Sequence, residues 1–119
     1  MNGSTESGAP AYSRTRRYPR HHLDTRIDVS VFREGTTISL WGRTNELGRD
    51  GVGATLSGEL QVGEVVAVEF PIPLAPYLLK ARAIVRYCRG LRCGFEFLVL
   101  SEEQRDTLAR VCEMLASTF

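Results

Sequence analysis

The sequence lacks the features of a membrane-spanning, secreted or disulfide-stabilised protein. No apolar run approaches the roughly 18 residues needed to span a bilayer, and the N-terminus has no apolar core like that of a signal peptide. The three cysteines are an odd number, which argues against a framework of disulfide bonds. We therefore expect a cytoplasmic protein.

Residues that commonly carry catalysis are also scarce. The only histidines, His21 and His22, are adjacent, and no serine lies in the sharp strand-to-helix turn of a hydrolase nucleophile. Nucleophilic catalysis needs a base held beside the nucleophile, and the sequence offers no such pair. We therefore expect that the protein is not an enzyme.

Lysine is nearly absent, since Lys80 is the only one, and the net charge of the 119 residues is +1. A chain of this length is expected to form one domain with a small barrel or sandwich core. Because no overall field attracts nucleic acid or membranes, recognition of an anion must depend on local clustering of arginine.

The arginines cluster near the N-terminus. Residues 1–13 contain little that a core could bury, so we expect a disordered tail there. Residues 14–20, called here the arginine strap, hold four arginines and no acidic residue. Their charges repel one another unless an anion lies between them, because arginine stays protonated near neutral pH. Pro19 favours an extended chain rather than a helical turn.

Two interpretations of the arginine strap remain open at this point. Basic N-terminal segments are commonly solvated tails, and a preference for arginine over lysine also arises from genome composition. Alternatively, the strap binds an anion. A planar guanidinium grips phosphate or the O6/N7 edge of guanine through two hydrogen bonds, and it also stacks on a base. A guanine nucleotide offers all three targets.

Six segments after the strap have the pattern of short β-strands. In the first, Ile27, Val29 and Val31 alternate with polar residues, which is the period of a half-buried strand. Turns are expected at residues 34–35, 45–51 and 58–63, and prolines interrupt residues 71–76. The predicted strands are residues 25–32, 36–44, 52–57, 64–70, 79–87 and 91–99.

The last two strands form the clearest hairpin, and the side chains predict its register. A three-residue loop that ends at Gly90, in the left-handed conformation, makes Val85 face Cys93 and gives one apolar face. The same register places Arg82 opposite Glu96, a favourable cross-strand pair. A two-residue loop mixes polar and apolar residues on both faces, so we reject it.

This register separates the two cysteines of the hairpin. Cys93 points into the core and Cys88 lies in the loop, so the two thiols are not expected to converge, and no metal site is expected. Cys112 lies on the apolar stripe of a C-terminal helix, where a free cysteine usually acts as a small hydrophobic residue.

The chain ends in a predicted helix. Residues 101–104, Ser-Glu-Glu-Gln, form a capping box, and Leu108, Val111, Cys112 and Leu115 recur at helical spacing on one stripe. Six short strands followed by one amphipathic helix predict an all-β fold. We expect a six-stranded antiparallel β-barrel with a C-terminal α-helix that lies on it or caps one end.

An oligonucleotide-binding barrel is a competing interpretation, since such folds also have about five strands. Its stacking platforms place aromatic residues on the outer face beside basic ones. Here most aromatic residues fall on the inward face, with Trp41 and Tyr18 as exceptions. This alternative therefore depends on an exposed Trp41.

Two motifs occur on either side of the first predicted hairpin. Arg16 and Arg20 have RxxxR spacing just before the first strand, and a glycine turn ends at Gly51 before the third. Next to a six-stranded barrel, this arrangement resembles the PilZ domain, a bacterial receptor for cyclic di-GMP. The second motif of that family is an acidic residue or Asn, any residue, Ser, two residues and Gly. Counted back from Gly51, its acidic position is Glu46 and its serine position is Gly48, which has no hydroxyl. The resemblance covers residues 14–119.

The resemblance implies a cyclic di-GMP site with two halves. The arginine strap grips guanine edges and phosphates, while the glycine turn lets backbone N–H groups approach the ligand from the barrel. Asn45 takes the acidic position only if the turn carries one extra residue. The expected ligand-binding residues are Arg16, Arg17 and Arg20 from the strap and Asn45, Glu46, Gly48, Arg49 and Gly51 from the barrel.

The resemblance also implies how the protein signals. The strap is expected to be flexible while its charges are unopposed, and the ligand then orders it over the barrel and changes the surface offered to a protein partner. Degenerate members of the family resemble adaptors that bind proteins without nucleotide, an alternative that Glu46 and Gly48 favour. A third alternative is nucleic-acid binding through the basic strap. No cofactor and no membrane insertion are expected.

Overall fold

A computed structural model of the protein describes residues 17–117. Within that range it contains seven β-strands and one α-helix. The predicted disordered tail and two arginines of the strap, Arg14 and Arg16, lie outside the described residues. The strands are β1 (His21–His22), β2 (Arg26–Arg33), β3 (Thr36–Leu47), β4 (Gly51–Leu56), β5 (Val65–Pro71), β6 (Leu78–Arg89) and β7 (Arg92–Val99), and the helix is α1 (Glu102–Ala116).

Six of the strands close into an antiparallel barrel. Around the barrel, β3, β2, β5, β6, β7 and β4 follow one another, and β4 returns to pair with β3. The remaining strand, β1, pairs with the last two residues of β3, beyond the end of β2. The fold class predicted from the sequence is confirmed, and β1 is the strand that the sequence pattern did not reveal.

Alternation along the strands fills the interior of the barrel. In β2, the side chains of Ile27, Val29 and Val31 are buried, and the residues between them are exposed or half-buried. In β5, Val66 and Val68 are buried in the same way. Because successive residues of a strand face opposite sides, the apolar residues form one continuous core inside the closed sheet.

β3 is longer than the sequence pattern predicted. It runs to Leu47, whereas the prediction placed residues 45–51 in a turn. A bulge between Thr44 and Glu46 lets the strand continue past Asn45 while it keeps its pairing with β4. Glu46 therefore lies in a strand, and the turn before β4 is confined to residues 48–50.

The predicted loop of the β6–β7 hairpin is wrong by one residue. Arg89 pairs with Arg92, which leaves a two-residue loop instead of a three-residue loop. The loop begins with Gly90 at a φ of 61°, so the left-handed conformation expected for this glycine is present. Glycine at the first position of such a loop carries this conformation without a Cβ clash.

A bulge explains why the two-residue loop is compatible with an apolar interior. Arg86 is an extra residue of β6, and beyond it Val85 faces Phe95, with both side chains buried. Without this bulge, the shorter loop would mix polar and apolar residues on the inner face. The predicted pair of Arg82 with Glu96 is also wrong, because the shorter loop shifts the register: Glu96 lies opposite Ile84, and Arg82 lies opposite Val99. The Glu96 carboxylate accepts a hydrogen bond from Arg86.

The observed register also brings two cysteines together. Cys88 belongs to β6 rather than to the loop, and it lies directly opposite Cys93. Their sulfur atoms are 2.7 Å apart. The expectation that these thiols do not converge is therefore wrong, although the described residues contain no cluster of three or more potential metal ligands.

Helix α1 begins with the expected capping box. The Ser101 hydroxyl accepts a hydrogen bond from the backbone N–H of Gln104, and the Gln104 side chain accepts one from the backbone N–H of Ser101. The buried face of the helix includes Leu108, Val111 and Cys112, and the helix packs beside β1. No helix between residues 17 and 117 is long and apolar enough to cross a bilayer.

Candidate functional site

The turn between β3 and β4 uses glycine where the chain approaches other groups closely. The N–H of Gly48 donates to the carbonyl oxygen of Gly51 at 2.9 Å, which closes the turn. A Cβ atom at Gly51 would run into the carbonyl oxygen of Phe95 on β7. Glycine at this position therefore permits β4 to close the barrel against β7.

Gly48 lies directly beneath the side chain of Arg20. A Cβ atom there would lie 2.7 Å from Arg20 Cδ, 2.9 Å from Arg20 Nε and 3.1 Å from the carbonyl oxygen of Pro19. A Cβ atom at Gly51 would lie 3.2 Å from Arg20 Nη2. The last arginine of the strap thus packs on both glycines of the turn.

Main-chain pairing holds the end of the strap in this place. In β1, His21 is opposite Leu47 and His22 is opposite Glu46. Arg20 directly precedes β1, so backbone hydrogen bonds between β1 and β3 set where its side chain begins. The strap is therefore attached to the barrel at its C-terminal end.

The barrel supplies negative charge beside Arg20. The Arg20 side chain is only 4% exposed, with Nη1 3.9 Å from Glu46 Oε2 and Nη2 3.6 Å from Asp50 Oδ1. The strap itself contains no acidic residue, and the sequence therefore predicted a repulsion that only an external anion relieves. For Arg20 this expectation is wrong, because folding places two carboxylates next to it.

Asp50 is a site residue that the sequence analysis did not identify. Its Oδ1 atom is buried and makes no hydrogen bond within the described residues, and its ion-pair partner is Arg20. Its carbonyl oxygen accepts a hydrogen bond from the N–H of Phe97 at 2.9 Å, which fixes its backbone against β7. The only signal in the sequence was its place next to Gly51.

Arg49 stacks on an aromatic side chain of the strap. Its guanidinium carbon lies 4.8 Å from the centre of the Tyr18 ring, a cation–π contact. Two grooves of about 220 and 230 Å³ are both lined by Tyr18 and Arg49. The first groove reaches Arg105 of α1, and the second follows α1 to Cys112 and Glu113. Strap, turn and helix therefore meet around the Tyr18–Arg49 pair.

The second groove is lined in part by the uncharged thiol of Cys112. Burial raises the pKa of the Cys112 thiol, while the nearby positive charges of Arg49 and Arg20 lower it by smaller amounts. The thiol therefore stays protonated near neutral pH and packs as a small hydrophobic residue, as the sequence analysis expected.

The predicted site residues converge only in part. Arg17 is exposed at the start of the described chain, and Arg16 lies outside it. The Asn45 side chain is hydrogen-bonded to β4 rather than to the turn, because its Oδ1 accepts a hydrogen bond from Thr55 Oγ1 at 3.3 Å. The residues that lie together at the turn are Arg20, Glu46, Gly48 and Gly51, with Arg49 beside them.

Comparisons with known proteins match most of this chain. The family model of the PilZ domain matches residues 14–114. The PilZ domain with c-di-GMP of YcgR from Escherichia coli is similar in structure, with a TM-score of 0.66, 21% identity, and coverage of 86% of this chain and 92% of that one. The PilZ domain of CeSA from a cellulose-synthesizing bacterium gives a TM-score of 0.61 at 17% identity, with coverage of 81% of this chain and 97% of that one.

A longer protein is also similar in structure. The inhibitor of motility MotI/DgrA of Bacillus subtilis gives a TM-score of 0.66 at 15% identity, with coverage of 87% of this chain and 53% of that one. This chain therefore spans about half the length of MotI/DgrA. No curated protein sequence matches it significantly. Because the family model covers residues 14–114, which include the strap, the barrel and most of the helix, the chain belongs to the PilZ domain family.

Proposed function

We propose that this PilZ domain is a cytoplasmic receptor for cyclic di-GMP. The observation that supports the proposal most directly is the packing of Arg20 on Gly48 and Gly51. The strap and the glycine turn are far apart in the sequence, yet they form one surface. The YcgR domain of similar fold carries c-di-GMP.

The chemistry of cyclic di-GMP matches the groups on this surface. The ligand has two phosphates and two guanines, and Arg17 and Arg49 are exposed beside the buried Arg20. A guanidinium binds a phosphate or the O6/N7 edge of guanine through two hydrogen bonds. One face of Arg49 already stacks on Tyr18, so its other face is available to stack on a guanine. The ligand would then lie over the Tyr18–Arg49 pair, with its phosphates towards Arg17 and Arg20.

The ion pairs of Arg20 with Glu46 and Asp50 are longer than those that a phosphate would form. Their separations of 3.6 and 3.9 Å exceed the roughly 2.7–2.9 Å of a direct charge-assisted hydrogen bond. A phosphate within that shorter range would contribute on the order of 1.5–3 kcal/mol. Binding would therefore draw Arg20 away from Glu46 and Asp50, reorder the strap over the turn and change the surface offered to a protein partner.

Isothermal titration calorimetry of the full chain with cyclic di-GMP tests the proposal. We expect Arg20→Ala to weaken binding about tenfold or more, because the lost contact is worth on the order of 1.5–3 kcal/mol. Arg89→Ala is a matched control, since Arg89 is an exposed arginine at the β6–β7 loop, away from the turn. It should bind as tightly as the parent.

Two further measurements make the calorimetric result specific. Cyclic di-AMP, which lacks the O6 acceptor of guanine, should bind more weakly than cyclic di-GMP. Thermal unfolding of Arg20→Ala should be cooperative, so that weak binding is not caused by loss of the fold. No heat from the parent at high micromolar cyclic di-GMP, or equal affinity of the parent and Arg20→Ala, would contradict the receptor function.

Binding of a protein partner without nucleotide is the second candidate function. Gly48 supplies no hydroxyl at the serine position of the family motif, and Arg20 is already flanked by Glu46 and Asp50. Both features favour a site in which Arg20 stabilises the fold. In that case Arg20→Ala should lower the free energy of unfolding, and cyclic di-GMP should leave the unfolding temperature of the parent unchanged.

Nucleic-acid binding is a third candidate, and an aromatic residue on the outer face favours it. Trp41 is 53% exposed, and the Arg26 guanidinium lies 5.3 Å from the centre of its ring. However, Trp41 and Leu47 are six residues apart on β3, about 20 Å at roughly 3.3 Å per residue, so Trp41 and the strap do not form one surface. Titration with single-stranded DNA at two salt concentrations distinguishes this candidate, because such affinity falls steeply with salt.

A further inference from the structure

The β6–β7 hairpin places two thiols side by side in a part of the barrel that the proposed nucleotide site does not use. Cys88 lies opposite Cys93, both are free thiols, and their sulfur atoms are 2.7 Å apart. Cys93 and Phe97 are four residues apart on β7, about 13 Å at roughly 3.3 Å per residue, and the N–H of Phe97 donates to the carbonyl oxygen of Asp50.

The backbone at this pair suits a disulfide without movement of the strands. In a hairpin with a two-residue loop, Arg89 and Arg92 form the hydrogen-bonded pair next to the loop, and the following pair is not hydrogen-bonded. The Cα atoms of such a pair are about 4.5 Å apart, within the roughly 4.4–6.8 Å that disulfides span. Only the two side chains must adjust to form the bond.

The two thiols differ in access to solvent. Cys93 is fully buried, and burial, followed by its hydrogen bond with Cys88, raises the pKa of Cys93 to about 12. Cys88 is half-buried, so a reagent in solution reaches this sulfur first. The exposed side chains of Arg89 and Arg92 favour the approach of an anionic reagent.

We propose that Cys88 and Cys93 are a reversible redox site that a small anionic disulfide, such as glutathione disulfide, oxidises to an intramolecular disulfide. Cys88 gives its proton to solvent, and its thiolate attacks one sulfur of the reagent, forms a mixed disulfide and releases the first thiolate, which takes up a proton. Cys93 then gives its proton to solvent, and its sulfur attacks the Cys88 sulfur and releases the second thiolate, which also takes up a proton. The protein loses two electrons and two protons, and the reagent is reduced to two thiols.

The bond would join β6 to β7 where β7 also pairs with β4. Cys93 is opposite Cys88 on one side and opposite Ala54 on the other. Oxidation would therefore restrain three neighbouring strands at this end of the barrel. The proposal does not depend on nucleotide binding, since neither thiol contributes to the site at the Gly48 turn.

The test uses the full chain, which is reduced, equilibrated at increasing ratios of glutathione disulfide to glutathione, and then alkylated with iodoacetamide under denaturing conditions. Trypsin cleaves after Arg86, Arg89 and Arg92, so digestion without reduction should release residues 87–89 linked to residues 93–105. We expect this linked species to replace both alkylated peptides together, and dithiothreitol to restore them. Alkylated Cys112 should persist at every ratio.

Three variants separate this reaction from unspecific oxidation. Cys112→Ala should still form the linked peptide at the same ratio of glutathione disulfide to glutathione as the parent. Cys93→Ala should stop at a mixed disulfide between Cys88 and glutathione. In Cys88→Ala, the buried Cys93 should not react with glutathione disulfide and should be recovered alkylated at every ratio. The proposal is overturned if the two peptides stay alkylated in the most oxidising buffer, if the linked peptide contains Cys112, or if the bond joins two copies of the chain.

Discussion

Replacing Gly48 with serine would place a hydroxyl where the PilZ motif has one, yet we expect this change to damage the site. A Cβ atom at residue 48 would lie 2.7 Å from Arg20 Cδ and 3.1 Å from the carbonyl oxygen of Pro19. The 2.7 Å separation from Arg20 Cδ is shorter than real Cβ atoms show, so the Arg20 side chain must move. Its side chain is 4% exposed, and moving it disturbs its place between Glu46 and Asp50.

The magnitude follows from two opposing effects. Adding atoms to a well-packed buried site typically costs about 1–3 kcal/mol. Replacing a glycine also reduces the entropy of the unfolded chain, which stabilises by only about 0.4–1 kcal/mol. Gly48→Ser should therefore lower the free energy of unfolding by roughly 1–2 kcal/mol. If Arg20 contacts the ligand as proposed, its displacement should also weaken cyclic di-GMP binding about tenfold.

Urea unfolding of a double-mutant cycle measures this effect. Gly48→Ala is the matched control, because it carries the Cβ atom without the hydroxyl and should be destabilised to a similar extent. In an Arg20→Ala background no long side chain must be displaced, so Gly48→Ser should lower the free energy of unfolding by less than it does in the parent. The coupling free energy between the two substitutions should be about 0.5–3 kcal/mol. Equal costs in both backgrounds, or tighter nucleotide binding by Gly48→Ser than by the parent, would refute the reasoning.

Two further predictions concern stability. The hydrogen bond from Arg33 lowers the pKa of the Glu64 carboxyl from its ordinary value of 4.5, so this pair stabilises the fold above that pH and loses its effect as the pH falls through the lowered pKa. Chemical unfolding of the parent and Glu64→Gln should differ at neutral pH and converge in acid, and a difference independent of pH would contradict this. Ser101→Ala removes the cap of α1 and should cost about 1 kcal/mol in urea unfolding, whereas Ser39→Ala at an exposed strand position should cost little. Equal losses in the two serine variants would argue against the cap.

The strands could be predicted where the information is local. Alternation of Ile27, Val29 and Val31 fixes which face of β2 is buried, whatever the rest of the chain does. The hairpin register could not be predicted in the same way. A three-residue loop without a bulge and a two-residue loop with a bulge at Arg86 both give an apolar interior, so alternation does not distinguish them.

The candidate site could be predicted only where a motif marks it. Arg20 and Gly48 were identified from their spacing, and they lie in contact. The role of Asp50 was missed, because the charge beside Arg20 depends on how β1 pairs with the end of β3. That pairing involves only two residues on β1, which is too short for a strand pattern to be visible in the sequence.

The second groove has a consequence for anything joined to this domain. It is lined by Tyr18 and Pro19 near the first described residue and by Glu113 and Ala116 near the last. The chain therefore enters the described part of the barrel and leaves it beside the same groove. Arg17 and Ser117, the exposed first and last described residues, are therefore natural places to attach a fluorescent pair that reports occupancy of the groove.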